Sequence, residues 1–417
     1  MTLTLTSEER TILAGQSGEA QALALGIVAE TARLMGAERL IPVASAHIDG
    51  ALYHGDSGTL FAERLVELGA KVAVPATLNV GGLDLACGAK TRLPPHQHDM
   101  AHRLMMAYEA MGCEASWTCA PYQAGHRPAL GSDVAWGESN AVAFCNSVLG
   151  ARTNRYGDFL DIACAISGCA PFYGLHKPEN RRAIFVLDCS GLSAALRGSD
   201  VLWPVIGTLY GQEAGTAVGV VTGLAGFATE DRLKAFGAAA ASAGAVGLFH
   251  ILGVTPEAPD METVTGGAQG LPVIPVTPER LAKARGGLST TRSSAIDAVA
   301  IGSPHCSAEE LREVIQRLSG RKVARPFYAC TGRHALLGLA RPERQALIDA
   351  GVTLVADTCI VVTPMLAEIA GVLATNSGKF AHYAPGNTGY AVRYASLAEC
   401  VEAAVSGHLA NETGAWS

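Results

Sequence analysis

Charged and aromatic residues are scarce in this chain of 417 residues: they make up 17% and 6% of it, while apolar residues reach 49%. An intrinsically disordered chain needs low hydrophobicity and high net charge, so this composition excludes disorder. The 31 basic and 38 acidic residues give a net charge of −7 without a basic tract. That balance excludes the electrostatic footprint of a nucleic-acid-binding protein. The length predicts two or three packed units.

Targeting signals and long apolar runs are also lacking. The start of the chain has no basic region followed by an apolar one, as a secretory signal would. The uncharged stretch 235–256 is interpreted as a helix ending near Gly244 and a buried strand over Val246–Val254, not as a membrane span. Eleven cysteines, an odd number without CxxC spacing, indicate reduced thiols. We therefore expect a cytoplasmic protein.

The polar loops of the chain lack the nucleotide-binding patterns GxxxxGK[ST] and GxGxxG, and the nucleophile elbow GxSxG is missing as well. What is present is an alternation of short apolar strands, polar glycine-containing loops and helices, which is typical of a parallel α/β fold. We predict helices at 7–36, 59–69, 230–243, 278–285, 307–319, 341–350 and 364–371, and strands at 41–46, 71–76, 183–188, 246–254, 297–301 and 352–356.

A stretch rich in Pro, Gly, Thr and Ser over 256–295 predicts a long connection in the second half of the chain. We place a first lobe at 1–190, a second at 191–285 and a third at 286–417. The polar loops fall at strand ends, where open α/β sheets bind ligands. The strand 41–46, for example, is followed by His47 and Asp49.

Three cysteines lie where loops leave strands or meet helix starts: Cys119 in TCAPY, Cys306 in GSPHCS and Cys359 in DTC. Three thiolates without a fourth protein ligand leave an open position on an iron–sulfur cluster or a single iron, which could act as a Lewis acid on a substrate hydroxyl. The alternative is that each is a small buried hydrophobe, and position alone leaves the choice open. That alternative is favoured for seven others, namely Cys87, Cys113, Cys164, Cys169, Cys189, Cys330 and Cys400.

Several loops combine glycine with polar residues: HGDSG at 54–58, TLNV at 77–80, WGESNA at 136–141, GARTNR at 150–155 and TNSGKF at 375–380. Glycine lets the backbone approach a ligand, and the N–H groups of helix starts suit a carboxylate or a phosphate. Basic side chains could bind the same anion; the candidates are Arg152, Arg155 and Lys379. Helix capping by Ser or Asn, a solvated Lys379 and a Glu138 that only favours a helix dipole are the alternatives.

The strings GDSGTLFAERL, VPATLNVGGLD, TCAPYQAG, AWGESNAVAFCNSVLGARTNR, GSPHCSAEEL, DTCIVVTPM and TNSGKFAHYAPG resemble the large-subunit domain of aconitase X, a divergent branch of the aconitase superfamily. The resemblance runs in order over nearly the whole chain. It implies a hydro-lyase with an aconitase-like, multi-lobed α/β/α fold of mainly parallel sheets.

The resemblance also implies a site. Its metal ligands would be Cys119, Cys306 and Cys359, which would hold an iron–sulfur cluster or mononuclear iron. Family members often carry Cys just before the Pro of the middle motif, where this chain has Ser303, so Cys306 is the least secure of the three ligands. Lys379, Ser57 and Glu138 would be catalytic. The implied substrate contacts are Gly55, Asp56, Ser57, Asn79, Val80, Glu138, Ser139 and Lys379.

Two activities follow from the resemblance: dehydration of cis-3-hydroxy-L-proline to Δ1-pyrroline-2-carboxylate, or dehydration of mevalonate 5-phosphate by a large subunit. Asp56 in the implied substrate loop would repel a phosphate, which favours the first. The swivelling domain of aconitase-type enzymes is absent from this sequence, so we expect a small swivelling-domain subunit as partner, one that supplies a catalytic Ser. A non-catalytic iron- or ligand-binding subunit is the alternative of another class.

Overall fold

The computed structural model describes residues 2–366 and 370–410. The chain forms two compact units. The first comprises the described residues up to Leu83 together with Leu93–Arg182, and the second comprises Asp84–Arg92 and the described residues from Ala183 onward. Within the described ranges, no helix is long and apolar enough to cross a membrane.

The first unit contains six α-helices and five strands among its described residues. They are α1 (Ser7–Leu13), α2 (Glu19–Leu34), β1 (Leu40–Pro42), β2 (Ala46–Ile48), α3 (Asp56–Glu67), β3 (Ala76–Leu78), α4 (Pro95–Ala110), β4 (Ala135–Trp136), α5 (Ser139–Phe144), α6 (Leu160–Ser167) and β5 (Cys169–Pro171). Strands β3, β2 and β4 form a parallel sheet in that order, and β1 pairs with β5 antiparallel.

The parallel sheet β3-β2-β4 has an apolar face and a polar face. Ala46 and Ile48 of β2 belong to the hydrophobic core of the first unit. Because successive side chains of a strand point to opposite faces, His47 lies on the other face, and the ladder places Thr77 and Trp136 beside it. All three side chains are buried, so this second face is a buried polar surface.

The second unit contains the remaining elements of the described chain. They are β6 (Val186–Asp188), α7 (Ala194–Arg197), α8 (Leu202–Ala214), β7 (Val220–Thr222), α9 (Glu230–Ala243), β8 (His250–Ile251), α10 (Met261–Thr265), β9 (Val273–Pro275), α11 (Pro278–Gly287), β10 (Ala298–Cys306), α12 (Ala308–Leu318), β11 (Phe327–Thr331), α13 (Arg333–Gly338), α14 (Arg341–Ala350), β12 (Val352–Ala356), β13 (Val372–Thr375), α15 (Gly378–Thr388), β14 (Ala391–Tyr394) and α16 (Leu397–Ser406).

Two parallel sheets organise the second unit: a four-stranded sheet of order β8-β7-β6-β9 and a five-stranded sheet of order β12-β11-β10-β13-β14. The ladder between β10 and β11 is interrupted, because Ile301 pairs with Ala329 whereas Cys306 pairs with Thr331. The residues between the two pairs bulge out of the strand. Gly302 is required there, since a Cβ at this position would lie 2.0 Å from the carbonyl oxygen of Cys330.

Helices α8 and α9 pack closely because small residues meet at their contact. A Cβ on Gly207 would lie 2.3 Å from the backbone oxygen of Phe236, and one on Gly211 would lie 2.5 Å from that of Ala240. Helix α9 begins at the Thr229 N-cap, whose side chain accepts a hydrogen bond from the backbone of the third helical residue. The predicted helix 230–243 is thus confirmed.

A short segment of the chain, Asp84–Arg92, leaves the first unit and packs in the second. The Asp84 carboxylate accepts hydrogen bonds from its own loop and from the backbone N–H of Ala356 at 3.0 Å. At the other end, the backbone N–H of Arg92 donates to the carbonyl of Pro364 at 2.7 Å. The segment is therefore hydrogen-bonded at one end to the last residue of β12 and at the other end to the chain that follows β12.

Several predicted elements are wrong in their extent. The helix expected at 7–36 is two helices, α1 and α2, because the turn between them contains Gly15 and Gly18, both at positive φ. The strand expected at 41–46 is instead divided between β1 and β2, which belong to different sheets. The helix expected at 364–371 includes residues 367–369, which lie outside the described residues.

The three-lobe division of the chain stays a prediction. Strand β6 lies inside the predicted first lobe, yet it pairs with β7 and β9 of the predicted second lobe. The long connection expected at 256–295 contains α10, β9 and α11, and β9 forms an edge of the four-stranded sheet.

Candidate active site

The carboxyl edge of the three-stranded sheet gathers polar side chains of the first unit. Asp49 follows β2, Asn79 follows β3, and Glu138 lies two residues beyond the end of β4. The Asn79 side-chain amide donates a hydrogen bond to the Asp49 carboxylate, and its backbone N–H donates to the carbonyl of Ile48 at 2.9 Å. Asn79 and the adjacent Val80 are both buried. Two predicted substrate residues, Asn79 and Val80, thus lie at this edge.

Glu138 forms the N-cap of α5 and is buried. One carboxylate oxygen accepts a hydrogen bond from the backbone N–H of Ala141 at 2.6 Å, and the other accepts from the Ser139 hydroxyl at 3.3 Å. Glu138 thus lies at the start of a helix, as the helix-dipole alternative expected, and it also caps that helix through its side chain. A side chain can cap a helix without being buried, so the burial of Glu138 is also compatible with a role in proton transfer.

Cys119 lies beside the same edge. Its carbonyl oxygen accepts a hydrogen bond from the Asn140 side-chain amide at 2.8 Å, and the preceding residue, Thr118, donates its backbone N–H to the carbonyl of Leu78 at 3.1 Å. The Cys119 side chain is buried. The structure therefore brings Cys119 together with Asn79, Glu138 and the residues next to them.

The predicted substrate loop Gly55–Ser57 lies at the start of helix α3. The contacts of Asp56 are with residues other than those at the carboxyl edge of the sheet. The Asp56 carboxylate accepts a hydrogen bond from the Tyr53 hydroxyl at 2.8 Å and pairs with Nε2 of His96 in α4 at 2.9 Å. The hydrogen bond with His96, followed by that with Tyr53, lowers the pKa of Asp56. Asp56 is therefore an ionised carboxylate at neutral pH.

In the second unit, the carboxyl ends of β10, β11 and β12 bring two thiols and a hydroxyl together. The sulfur of Cys359 accepts hydrogen bonds from the Cys330 thiol, the backbone N–H of Val361 and the Ser303 hydroxyl, and the Lys379 ammonium lies near it. The hydrogen bond from Cys330 is the largest of the effects that lower the pKa of Cys359. The same bond, together with burial, raises the pKa of Cys330 well above its usual value, as expected for the donor of the pair.

Cys306, the last residue of β10, has different surroundings. Burial raises the pKa of its thiol well above the usual value, and the charges of Glu310 and Lys234 act on it. Nζ of Lys234 is itself buried and lies 2.5 Å from the Glu310 carboxylate. It is thus Ser303, and not Cys306, whose side chain is hydrogen-bonded to Cys359.

Lys379 lies in the first turn of α15, whose N-cap is Ser377. The Ser377 hydroxyl donates to the carbonyl of Ser303 and accepts from the backbone N–H of Phe380 at 3.0 Å. These bonds fix the start of α15 against the bulge of β10. A cavity of about 30 Å³, room for one water molecule, lies at this junction, and its lining includes Lys234, Ser303, Glu310, Asn376 and Ser377.

The predicted metal ligands are divided between the units, with Cys119 in the first and Cys306 and Cys359 in the second. Within the described residues, no group of three or more His, Cys, Asp or Glu side chains is arranged to hold a metal ion.

Known proteins resemble this chain along almost its whole length. Three family models match it in order: aconitase X first domain at residues 2–179, second domain at 183–286 and third domain at 296–406. The chain belongs to the aconitase X family. A relative from Pseudomonas aeruginosa, named cis-3-hydroxy-L-proline dehydratase, is 41% identical over 415 residues, which cover 98% of this chain and 71% of that protein.

Members of the aconitase X family from archaea match as well. The phosphomevalonate dehydratase large subunit of Methanothermobacter thermautotrophicus is 38% identical over 386 residues, covering 92% of this chain and 94% of that subunit. The solved aconitase X of Thermococcus kodakaraensis, described as the holo-form, superimposes with a TM-score of 0.85 at 33% identity and covers 96% of this chain and all of that one. The predicted aconitase-like α/β fold is confirmed, and the chain is a hydro-lyase of this family.

Two residues near the strand ends were not predicted as site residues from the sequence. Cys330 was expected to be an inert buried hydrophobe, yet its thiol contacts Cys359. Its place at the end of a predicted α/β strand was the available signal. His126 carried no local signal, because it approaches His47 only through Thr77 in the folded sheet. Cys87 was also expected to be a small buried hydrophobe, and this is wrong because Cys87 is exposed.

Proposed function

We propose that this chain is the large subunit of a dehydratase that removes water from cis-3-hydroxy-L-proline. The observation that supports this substrate is the acidity of the first unit near the candidate site, where the Asp49 carboxylate accepts a hydrogen bond from Asn79 and Asp56 is ionised. The substrate is a zwitterion whose ring ammonium is attracted by carboxylates. A phosphate would be repelled by them.

The reaction needs a base for the α-proton and help for the departing hydroxide. Loss of the α-proton and of hydroxide gives an enamine, which tautomerises to Δ1-pyrroline-2-carboxylate. We assign Glu138 as the group that gives a proton to the hydroxide, because its carboxyl is buried and preorganised by Ala141 and Ser139. Lys379 or the Gly55–Ser57 loop binds the substrate carboxylate, and Val80 completes the substrate contacts beside Asn79.

The donor chemistry of the chain fits iron. A thiolate is the form of cysteine that binds metal, and the three hydrogen-bond donors around Cys359, with Lys379 nearby, stabilise its thiolate. Cys119, Cys306 and Cys359 would hold an iron–sulfur cluster or a mononuclear iron, and Cys306 stays the least secure of the three because the side chain hydrogen-bonded to Cys359 is that of Ser303. When bound, the iron supplies a Lewis acid for the leaving hydroxyl.

We further propose a small swivelling-domain subunit as partner, a cytoplasmic location and the three-lobe division. A partner is supported by the name "large subunit" carried by the M. thermautotrophicus relative, with which this chain aligns over 94% of that protein's length. The same match favours phosphomevalonate as the second candidate substrate.

The test is a dehydratase assay on the anaerobically reconstituted chain, co-produced with its candidate small subunit. Cis-3-hydroxy-L-proline and mevalonate 5-phosphate are supplied in parallel, and iron and sulfide are quantified on the same sample. Turnover of the proline substrate alone supports the proposal. Turnover of the phosphate compound alone overturns it in favour of the second candidate, and iron-loaded protein that consumes neither overturns both.

A further inference from the structure

The buried polar face of the sheet β3-β2-β4 continues into the candidate site. His47, Thr77 and Trp136 form one row across this face. The residues two positions further along, Asp49, Asn79 and Glu138, lie just beyond the carboxyl ends of these three strands. The His47 row therefore lies next to the chain segments that contain the proposed proton donor.

A chain of hydrogen bonds runs through the His47 row. Nδ1 of His47 lies 2.8 Å from Oγ1 of Thr77, which lies 2.7 Å from Nδ1 of His126. Nε2 of His126 in turn lies 2.8 Å from Oγ of Ser45. His126 is partly buried and Ser45, the last member, is 6% exposed, so the chain runs from the fully buried His47 toward the surface.

The inner end of this chain is incomplete. The His47 side chain is fully buried, and its Nε2 has no hydrogen-bond partner in the described part of the protein. Buried polar atoms in native proteins are nearly always paired, so an unpaired one needs an explanation, and a role in catalysis is one of those known. Glu138, two residues beyond the end of β4, is near enough to influence the ring electrostatically.

The links of the chain can all be oriented in one direction. If Ser45 donates to Nε2 of His126, then Nδ1–H of His126 donates to Thr77, the Thr77 hydroxyl donates to Nδ1 of His47, and the proton of His47 is on Nε2. Burial lowers the pKa of His47 to about 3 and that of His126 to about 4, so both rings are neutral near pH 7. A neutral chain of this kind moves one proton by one place at each link.

We propose that this chain reprotonates Glu138 after each turnover, with Nε2–H of His47 as the immediate donor. The inference rests on the proposed function, in which Glu138 gives its proton to the departing hydroxide and is left as a carboxylate. His47 passes its Nε2 proton to that carboxylate, directly or through one water, while its Nδ1 takes the proton of the Thr77 hydroxyl.

The remaining protons move in the same sense. The Thr77 oxygen takes the proton from Nδ1 of His126, Nε2 of His126 takes the proton of the Ser45 hydroxyl, and Ser45 regains one from solvent. The solvent in turn recovers a proton when the base that removed the α-proton of the substrate releases it. No member of the chain carries a net charge before or after the transfer, but both rings end in the opposite tautomer, so the rings and hydroxyls must return to their starting state before the next turnover.

Thr77→Val tests the chain, because valine has nearly the same shape as threonine and lacks only the hydroxyl link. We expect kcat to fall about tenfold to a hundredfold with KM changed less than twofold, since substrate binding does not involve Thr77. The solvent deuterium isotope effect on kcat should rise, because reprotonation becomes rate-limiting. Thr77→Ser, which restores the hydroxyl, should recover most of the rate.

Two further variants separate this proposal from its alternatives. Thr208→Val removes another buried hydroxyl, which donates to the Pro204 carbonyl at 2.8 Å in the other unit, and is the control for stability. His126→Gln interrupts the chain at its partly exposed member and should show the same kinetic change if Thr77→Val does not fold.

Glu138→Gln provides the reference. If Glu138→Gln is slow while folded Thr77→Val and His126→Gln keep the kcat and isotope effect of the unaltered enzyme, the chain is only structural and the inference is overturned. If Glu138→Gln itself turns over normally, the proposed role of Glu138 fails, and the inference fails with it. A lower unfolding temperature of Thr77→Val without a lower kcat also counts against the relay.

Discussion

The three-stranded sheet of the first unit and the five-stranded sheet of the second differ in what they present at the carboxyl ends of their parallel strands. The first presents oxygen and nitrogen groups: Asp49, Asn79 and Glu138, with neutral His47 nearby. The second presents sulfur, with Cys330 and Cys359 in contact and the Lys379 charge nearby. Parallel α/β sheets place their ligand sites at this edge, whatever side chains they carry.

The difference indicates that the two sheet edges have different chemical roles in the proposed reaction. Carboxylates and imidazoles exchange protons near neutral pH, whereas thiolates are soft ligands that bind iron. The two edges are also completed differently. The thiols satisfy one another, while the polar face leaves Nε2 of His47 unpaired in the described residues. In the proposed reaction, the first edge would transfer protons and contribute Cys119, and the second edge would contribute the other two thiolates.

The largest effect is expected when a cysteine that would bind iron is removed. In Cys359→Ala, bound iron should fall to about a tenth or less of the unaltered level, because the ligand itself is lost. Cys119→Ala should behave in the same way. Iron content and the visible absorption spectrum measure the effect on anaerobically reconstituted protein.

The control is Cys400→Ala, which removes an equally buried thiol from the hydrophobic core around α16. It should keep its iron, whatever its loss of stability. Equal iron in all three variants would contradict the assignment of the thiolates.

Lys379 tests the role of the second edge in binding substrate, because its charge lies near the thiols there. Lys379→Ala should lower kcat/KM by about tenfold to a hundredfold, as expected for one lost hydrogen bond to a charged group. Its unfolding temperature should change little. The matched control is Lys322→Ala, which removes an exposed lysine of the same unit. Identical kinetics in the two variants would make Lys379 a solvated side chain.

The imidazoles of the first unit predict a loss of stability in acid. Burial depresses the folded-state pKa of His47 to about 3 and of His126 to about 4, below the ordinary value of 6.5. The unfolded chain therefore binds more protons below pH 6.5, and the free energy of unfolding falls as the pH is lowered. Each histidine contributes a loss of about 1.4 kcal/mol per pH unit, or about 2 kcal/mol between pH 6.5 and 5.

Urea unfolding at pH 7.5, 6.5 and 5 measures this dependence. In His126→Gln the loss between pH 6.5 and 5 should be smaller by about the share of one histidine. A variant whose free energy of unfolding falls with pH as steeply as that of the unaltered chain would show that His126 is protonated in the folded state.

The smallest effect is expected at the surface of the first unit. His96→Ala removes the partner of Asp56, but the two side chains are 67% and 44% exposed, so the unfolding temperature should not change measurably. Arg333→Ala is the contrasting variant in the second unit, because it leaves the fully buried Asp357 carboxylate without its paired guanidinium, which lies 2.7 and 2.8 Å away. Only that variant should melt earlier in thermal unfolding.

Local pattern predicted those elements whose ends are marked by the sequence itself. The strand at 352–356 and the helices at 230–243 and 341–350 have the predicted bounds, because capping residues and glycine define their ends. The contact between Cys330 and Cys359 is set instead by the register of β11 against β10 and β12, which residue types do not encode. For the same reason the sequence did not show that Ser303, displaced by the bulge, reaches Cys359 before Cys306 does.

The segment Asp84–Arg92 has a consequence for how this architecture is inherited. The segment lies inside the part of the chain matched by the first family domain, yet it completes the second compact unit. A fragment beginning at Ala183 would leave the Ala356 amide without the Asp84 carboxylate that caps it. Recombination between relatives must therefore exchange two stretches of chain together. A single crossover near residue 182 would combine the second unit of one relative with the Asp84–Arg92 segment of another.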